Sequence, residues 1–289
     1  MGWSKPIWQR RSEGVSRSGG DWGCTPRLWF APTGRSDRRA WTPRWPGEAS
    51  RRRVTDPAEC DFYHVVELPG GELTKAQWDL RETADQYLGG VDFAGKRVLE
   101  IGPASGFLSF HMERRGARVF CVEPPMNAFW DLVPWPDAGA TQQGFAAHIA
   151  RIRNSFWYLH GLYRSKVECY EADLYNLPSG LPRFDTAVFG SVLLHCCSPV
   201  KMLQAVGNLV DGQIVVTERF FAELADQPVC RLLPSRENGV RETWWEFSPL
   251  FFQQYLGIIG FPRCTVTRHR QWYAAGDSWI DMFTIVASR

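Results

Sequence analysis

Arg97-Val98-Leu99-Glu100-Ile101-Gly102-Pro103-Ala104-Ser105-Gly106-Phe107-Leu108-Ser109-Phe110 is the stretch that decides the fold. It opens on a short apolar run holding one acid, Glu100, the pattern of a strand covered on both faces. Gly102 and Gly106 follow with Pro103 between them. Phe107, Leu108, Phe110 and His111 then begin a helical pattern that ends near Gly116. Strand, glycine turn and helix form the opening unit of a doubly wound α/β sheet, in which ligands bind beyond the carboxyl ends of the strands. Gly102 permits a sharp turn that a Cβ disfavours, and Gly106 leaves backbone bare where a ligand can lie. The free N–H groups of the next helix point to the same place.

The flanking sequence extends this unit in both directions. Residues 117–123 read as a second strand, with Glu123 at its carboxyl end, 23 residues beyond Glu100. A carboxylate there can accept hydrogen bonds from both hydroxyls of a ribose, the alternative being a surface Glu at a strand end. A long aromatic connection over 124–164 contains a helical pattern over 144–163. Its excess over a bare crossover reads either as a lid or substrate wall, or as extra core packing. Residues 167–172 form a third strand, after which Asp173 and Leu174 stand where a carboxylate and a backbone N–H can meet an adenine ring. Capping of the next helix is the alternative role for Asp173. A fourth strand over 184–190 runs into Ser191, His195 and Pro199, followed by a helix over 200–210 and a fifth strand over 212–218. A helix over 248–259 closed by Gly260 precedes two alternating strands at 265–272 and 279–286. Upstream, the apolar spacing over 73–88 predicts a helix stopped by Gly89-Gly90. The right-handed crossover rule makes the first five strands parallel.

Composition narrows the class. The chain has 289 residues, 44% of them apolar, and a net charge of +2, enough for one or two ordinary cores. No run of uncharged apolar residues is long enough to span a membrane, and no secretory signal is visible, which points to the cytoplasm. Eight cysteines are scattered without a C-x-x-C pair, so buried free thiols are expected rather than a metal site. A zinc site built from His195, Cys196 and Cys197 is weakened because adjacent strand side chains point opposite ways. Residues 1–53 carry 12 Lys/Arg against 4 Asp/Glu, leaving the remainder mildly acidic and unsuited to broad nucleic-acid binding. Residues 1–55 read as a disordered basic leader, or as sequence that is not natively translated; a nucleic-acid arm and a transit peptide are further readings. Residues 56–289 read as one domain.

The glycine spacing selects between two nucleotide cofactors. A dinucleotide turn wants small residues at Gly102, Ala104 and the position held by the bulky Phe107. The sequence Glu100-x-Gly102-x-Ala104-x-Gly106, then Glu123, Asp173-Leu174 and Phe184-Asp185, resembles class I S-adenosylmethionine (SAM) methyltransferases from about residue 60 to the end. The resemblance implies a Rossmann-like, seven-stranded α/β methyltransferase sheet with helices on both faces and a lid-like insertion after the second strand. It implies SAM as cofactor, bound by Glu100, Gly102, Pro103, Ala104, Gly106, Glu123, Asp173, Leu174, Gly190 and Ser191.

Two further stretches are similar to the group containing the tRNA wobble-uridine carboxymethyltransferase. They are Phe184-Asp185-Thr186 through His195 to Ser198-Pro199, and Leu232-Leu233-Pro234 through Arg241 to Phe247-Ser248-Pro249. That group has Tyr directly before the His, where this chain has Leu194. Loss of the hydroxyl removes a hydrogen bond for the extra carboxylate of its cofactor. The expected reaction is therefore methyl transfer to an O or N nucleophile on a small molecule. A tRNA-modifying (carboxy)methyltransferase and a catalytically silent SAM-binding protein are the alternatives. A hydroxyl or amine acceptor needs a base, and His195 is the candidate, unless it only packs in its loop. Arg241, Trp157, Tyr158 and Trp244 are the candidate acceptor-binding residues, with core packing as their other reading.

Overall fold

The computed structural model describes residues 51–126, 131–178 and 180–289. Most of the expected leader, 1–55, lies outside the described residues. The elements in chain order are β1 (Trp78–Asp79), α1 (Ala84–Tyr87), β2 (Arg97–Ile101), α2 (Phe107–Arg114), β3 (Arg118–Glu123), α3 (Ala138–Tyr163), β4 (Glu168–Glu171) and β5 (Phe184–Gly190). There follow α4 (Pro199–Gly207), β6 (Val210–Arg219), β7 (Cys230–Leu232), β8 (Trp245–Phe247), α5 (Pro249–Ile258), β9 (Arg263–Tyr273) and β10 (Ser278–Ser288).

Eight strands form one sheet in the order β4-β3-β2-β5-β6-β10-β9-β1. The pairs from β4 to β6 are parallel, as the crossover rule requires, and β10 runs antiparallel to both β6 and β9. This is the expected Rossmann-like methyltransferase arrangement with one added edge strand, β1, paired to β9 through Trp78–Tyr273 and Asp79–Trp272.

The sheet separates two cores, because successive strand side chains face opposite layers. Leu99, Ile101, Phe189 and Val216 face α4 and α5, which contribute Met202, Leu203, Phe252 and Leu256. Val98, Val119, Cys121 and Val188 face α1, α2 and α3, which contribute Tyr87, Phe110, Phe156 and Leu159. Local chemistry sets the helix starts. Ser248 accepts the Phe251 N–H at 3.1 Å with Pro249 next in line, and Pro199 opens α4. The long connection after β3 is mainly α3 itself, whose later half packs on the sheet through Ile152, Phe156, Trp157 and Leu159.

The helix expected over 73–88 shrinks to the single turn α1. Gln77 and Trp78 donate to the Tyr63 carbonyl, Thr74 donates to Val66, and Trp78 joins the sheet edge. Extended pairing with residues 63–68 and β9 overrides the apolar spacing, which a short segment cannot defend without a long helix to propagate it. The expected Gly stop does hold: Gly89 and Gly90 donate to Gln86 and Asp85 carbonyls. A second, two-stranded sheet, β7 with β8, was not expected from the sequence.

Candidate functional site

The turn after β2 is built as its sequence demands. Gly102 (φ +67°), Ala104 (φ +50°) and Gly106 (φ +84°) all take the left-handed region, which costs a residue with a Cβ. A Cβ on Gly106 would stand 2.5 Å from Phe110 and 2.7 Å from Phe156. The room left by this glycine is thus filled by two aromatic rings, rather than left bare for a ligand. Pro103 accepts the Gly106 N–H at 2.8 Å, and Gly102 donates to Val122 at 3.0 Å.

Glu100 and Glu123 sit on the same sheet face, on neighbouring strands. Glu100 accepts a hydrogen bond from the Ser109 hydroxyl and a weak one from Cys121 Sγ at 3.6 Å. Burial drives its carboxyl up to about 7, opposed by those two donors and assisted by the charge of Glu123. The Ala104 N–H of the turn favours the charged form of Glu123, and the Gly102–Val122 bond ties the turn to β3 one residue before this carboxylate. Its Oε2 also accepts Arg153 Nε at 2.9 Å. Burial raises the Glu123 pKa, and Arg153 holds it down. Arg153 further donates to Glu171 at 3.2 Å and to the Pro124 carbonyl. Glu123, Arg153, Trp157, Cys169 and Glu171 line a cavity of about 10 Å³, room for about one water.

Asp173 does not join this group. Its oxygens accept the Tyr175 N–H at 2.9 Å and the Asn176 amide at 2.6 Å, and the Asn176 bond leads in lowering its pKa. Both oxygens are engaged within its own turn and cap no helix, since no described helix lies between β4 and β5. Leu174 is buried in the α4–α5 layer.

On the other side of β2, Gly190 ends β5 against Leu108 and Tyr87, where a Cβ would come within 3.0 Å of Leu108. Ser191 (φ +53°) has its hydroxyl 2.9 Å from Tyr87 Oη and donates to the Thr217 carbonyl at 3.2 Å. His195 closes a 3₁₀ turn, Leu193–His195, and its Nδ1 donates to the Glu242 carbonyl at 2.5 Å. Burial lowers its pKa, so the ring is neutral with its proton on Nδ1, and Nε2 keeps a lone pair.

The four acceptor candidates are dispersed. Arg241 forms a two-pronged ion pair with Asp137, both bonds 2.7 Å, tying its loop to the start of α3. Trp244 donates to the Asp131 carbonyl at 2.6 Å and stacks on Trp245. Trp157 packs against Phe156 and His160, and Tyr158 against Phe62.

Three residues that the sequence reading passed over stand at the same rim. Arg153 is one. Glu218, at the carboxyl end of β6, has its charged form favoured by the nearby backbone N–H groups of Leu194 and Leu193, while its Oε1 has no partner. His64 donates its backbone N–H to Ser105 Oγ of the turn at 3.3 Å, lies 5.4 Å from the Phe107 ring, and leaves Nδ1 unpartnered. Burial pushes Glu218 up to about 8 and His64 down to about 3. An acid ending an apolar strand singled out Glu123, and the same signal marks Glu218.

Among the described residues, no group of three His, Cys, Asp or Glu side chains is placed to hold a metal ion. No described helix is long and apolar enough to cross a membrane.

No family model matches the chain. A tRNA U34 carboxymethyltransferase of Psychrobacter cryohalolentis is 29% identical over 178 residues, covering 61% of this chain and 45% of that protein. The matched part thus spans less than half the length of that relative. A Burkholderia thailandensis 1,6-didemethyltoxoflavin-N1-methyltransferase, solved with S-adenosylhomocysteine, aligns at TM-score 0.46 and 16% identity, covering 72% of this chain and 77% of that one. A Synechocystis magnesium protoporphyrin IX methyltransferase aligns at TM-score 0.44 and 12% identity over the same shares. In its strand order, its turn motif and the sequence it shares with the Psychrobacter protein, the chain resembles class I SAM-dependent methyltransferases, and among them the group that includes the tRNA U34 carboxymethyltransferase.

Proposed function

We propose that the chain is a SAM-dependent methyltransferase acting on an O or N nucleophile of a small molecule. The observation that carries this reading is the placement of buried Glu123 at the end of β3 beside the glycine turn, which Gly102 bonds to Val122, at the carboxyl rim of a doubly wound sheet. The residues also fit a cationic nucleoside cofactor. Three buried carboxyl groups, Glu100, Glu123 and Glu218, stand near the rim, and two buried polar atoms there lack partners. A carboxylate offers about four acceptor positions, so Glu123 retains capacity for ribose hydroxyls beside Arg153.

Bound SAM would supply a methyl group on a sulfonium that is already a strong electrophile. The chain's task is then mainly to position the acceptor and take its proton. Gly102, Pro103 and Ala104 shape the floor while Gly106 lets Phe110 and Phe156 pack beneath it, Glu100 and Glu123 supply negative charge, and Gly190 and Ser191 line the opposite wall. Asp173 would serve through its turn, with the nearby Leu174 backbone as the adenine contact. His195 Nε2 offers a lone pair toward the acceptor side.

The test is calorimetry with SAM, S-adenosylhomocysteine and NADH, followed by a labelled-methyl screen of extract. Binding of the two sulfur compounds but not NADH, with label entering a small molecule, is the expected result. Tight NADH binding with silent SAM overturns the assignment. The sequence shared with the Psychrobacter relative favours a second reading, a tRNA-modifying transferase. It predicts label in RNA, and steeply salt-dependent RNA binding lost on deleting residues 1–55. The Arg153 clamp on Glu123 favours a third, a silent SAM-binding protein, which predicts cofactor binding and no labelled acceptor.

A further inference from the structure

The rim of the sheet has two halves. The glycine turn, Glu123 and the Asp173 loop follow β2, β3 and β4, whereas Ser191, His195 and Glu218 follow or end β5 and β6. A cofactor held by the first half leaves the second for the acceptor, across the point where the strand order reverses.

Glu218 is 2% exposed in that second half. It lies beside the backbone N–H groups of Leu194 and Leu193, in the turn that carries His195, and these favour its charged form. Oε1 is buried with no partner. Tyr63, Tyr87, Cys196 and Cys230 lie close enough to feel its charge, and none of them is a cation. The Tyr87 hydroxyl is already engaged with Ser191, 2.9 Å away. A buried acceptor oxygen left open is costly unless a ligand or a proton occupies it.

We propose that Oε1 of Glu218 is the catalytic base that takes the acceptor's proton. As the acceptor's O or N lone pair bonds to the methyl carbon, the methyl–sulfur bond breaks and its electrons stay on sulfur, leaving a neutral thioether. The acceptor's O–H or N–H proton passes to the Glu218 carboxylate. Burial sets this carboxyl near about 8, close to neutral pH, where a base combines availability with strength. His195, neutral and tied to the Glu242 carbonyl, then orients the acceptor rather than deprotonating it.

This inference rests on the SAM reading, and its test needs no acceptor. Sinefungin carries a C–NH₃⁺ group in place of the sulfonium methyl, so a base aimed at the transferring methyl pairs with it, whereas S-adenosylhomocysteine has no such group. Glu218→Gln keeps the side chain's size and a carbonyl oxygen and removes the charge. It should weaken sinefungin by about tenfold or more while leaving S-adenosylhomocysteine within about threefold. Equal losses for both ligands, or no loss for sinefungin, overturn the proposal. Should the variant fail to fold, the unaltered protein gives a second readout. Its preference for sinefungin should rise between about pH 6.5 and 8.5 as Glu218 ionises, and a flat ratio overturns the proposal. Glu100 titrates in the same range, so Glu100→Gln is titrated alongside: the rise should persist in it, and its loss there overturns the proposal. If the unaltered protein binds neither compound, the SAM reading fails first and this inference falls with it.

Discussion

Arg153 holds two carboxylates and a carbonyl at once, with its side chain 7% exposed and that of Glu123 10% exposed. Removing one member of a buried pair strands the other's charge, whereas replacing both by neutral groups costs far less. Arg153→Met should therefore lower unfolding stability by about 3–5 kcal/mol, and the double variant with Glu123→Gln should recover part of that loss. Urea titration of the four proteins measures the coupling, and strictly additive losses would show that the pair is not a unit. The unpaired acids act in the opposite sense. Glu100 and Glu218 are raised from 4.5 to about 7 and about 8, so the folded state holds their protons more tightly than the unfolded chain does. The stability they contribute is complete below 4.5 and is lost as pH rises through about 7 and about 8. The urea midpoint should fall between about pH 5 and pH 9, and Glu218→Gln should flatten the fall. An identical decline in the variant would place the titration elsewhere.

At the scale of the element, the glycine turn shows that one residue type answers two needs. Gly90 and Gly106 both have positive φ, +68° and +84°, but a Cβ at Gly90 meets nothing within 4 Å, whereas at Gly106 it meets two rings. Gly90→Ala should cost about 1–2 kcal/mol for the left-handed backbone alone. Gly106→Ala should cost about 1–3 kcal/mol more, because Phe110 and Phe156 must move. Equal losses would mean the rings yield freely. This contrast also explains what was legible beforehand. β2, β3, β5 and β6 are apolar runs buried on both faces, so their sequence alone announces them, and the turn announces itself by its glycines. Residues 73–88 carry helical spacing, yet their partners lie at 63–68 and 272–273, distances no local pattern contains. The carboxyl rim was legible to the extent that an acid ended a strand. That rule marks Glu123 and applies equally to Glu218. Asp173 obeyed the rule of position, but its oxygens were claimed by Tyr175 and Asn176, a competition invisible until the turn is folded. Arg153 lay inside a helical pattern, where nothing marks which way a cation faces.

Across the whole molecule, the chain closes over its own turn. The segment containing Tyr63 and His64 bonds to Ser105 and packs on Phe107, so it covers the start of α2. A dinucleotide needs that helix end open for its pyrophosphate and a small residue at the position of Phe107. SAM has no pyrophosphate and needs neither. The far edge is fixed independently: the hydroxyls of Thr217 and Thr284 both donate to the Tyr87 carbonyl, and Arg289 donates to the Val210 and Gly207 carbonyls. Because β6 and β10 are tied to α1 in this way, a ligand at the rim stabilises a unit that includes most of the sheet. A ligand present at about 100 times its Kd and bound only to the folded state adds about 2.7 kcal/mol. For a domain of this size each kcal/mol shifts Tm by about 2–4 °C, so S-adenosylhomocysteine should raise Tm by about 5–11 °C. NADH at equal concentration should leave Tm unchanged, because the covered helix end and Phe107 deny it a phosphate site. A rise with NADH and none with S-adenosylhomocysteine would reverse the choice of cofactor while leaving the sheet as described.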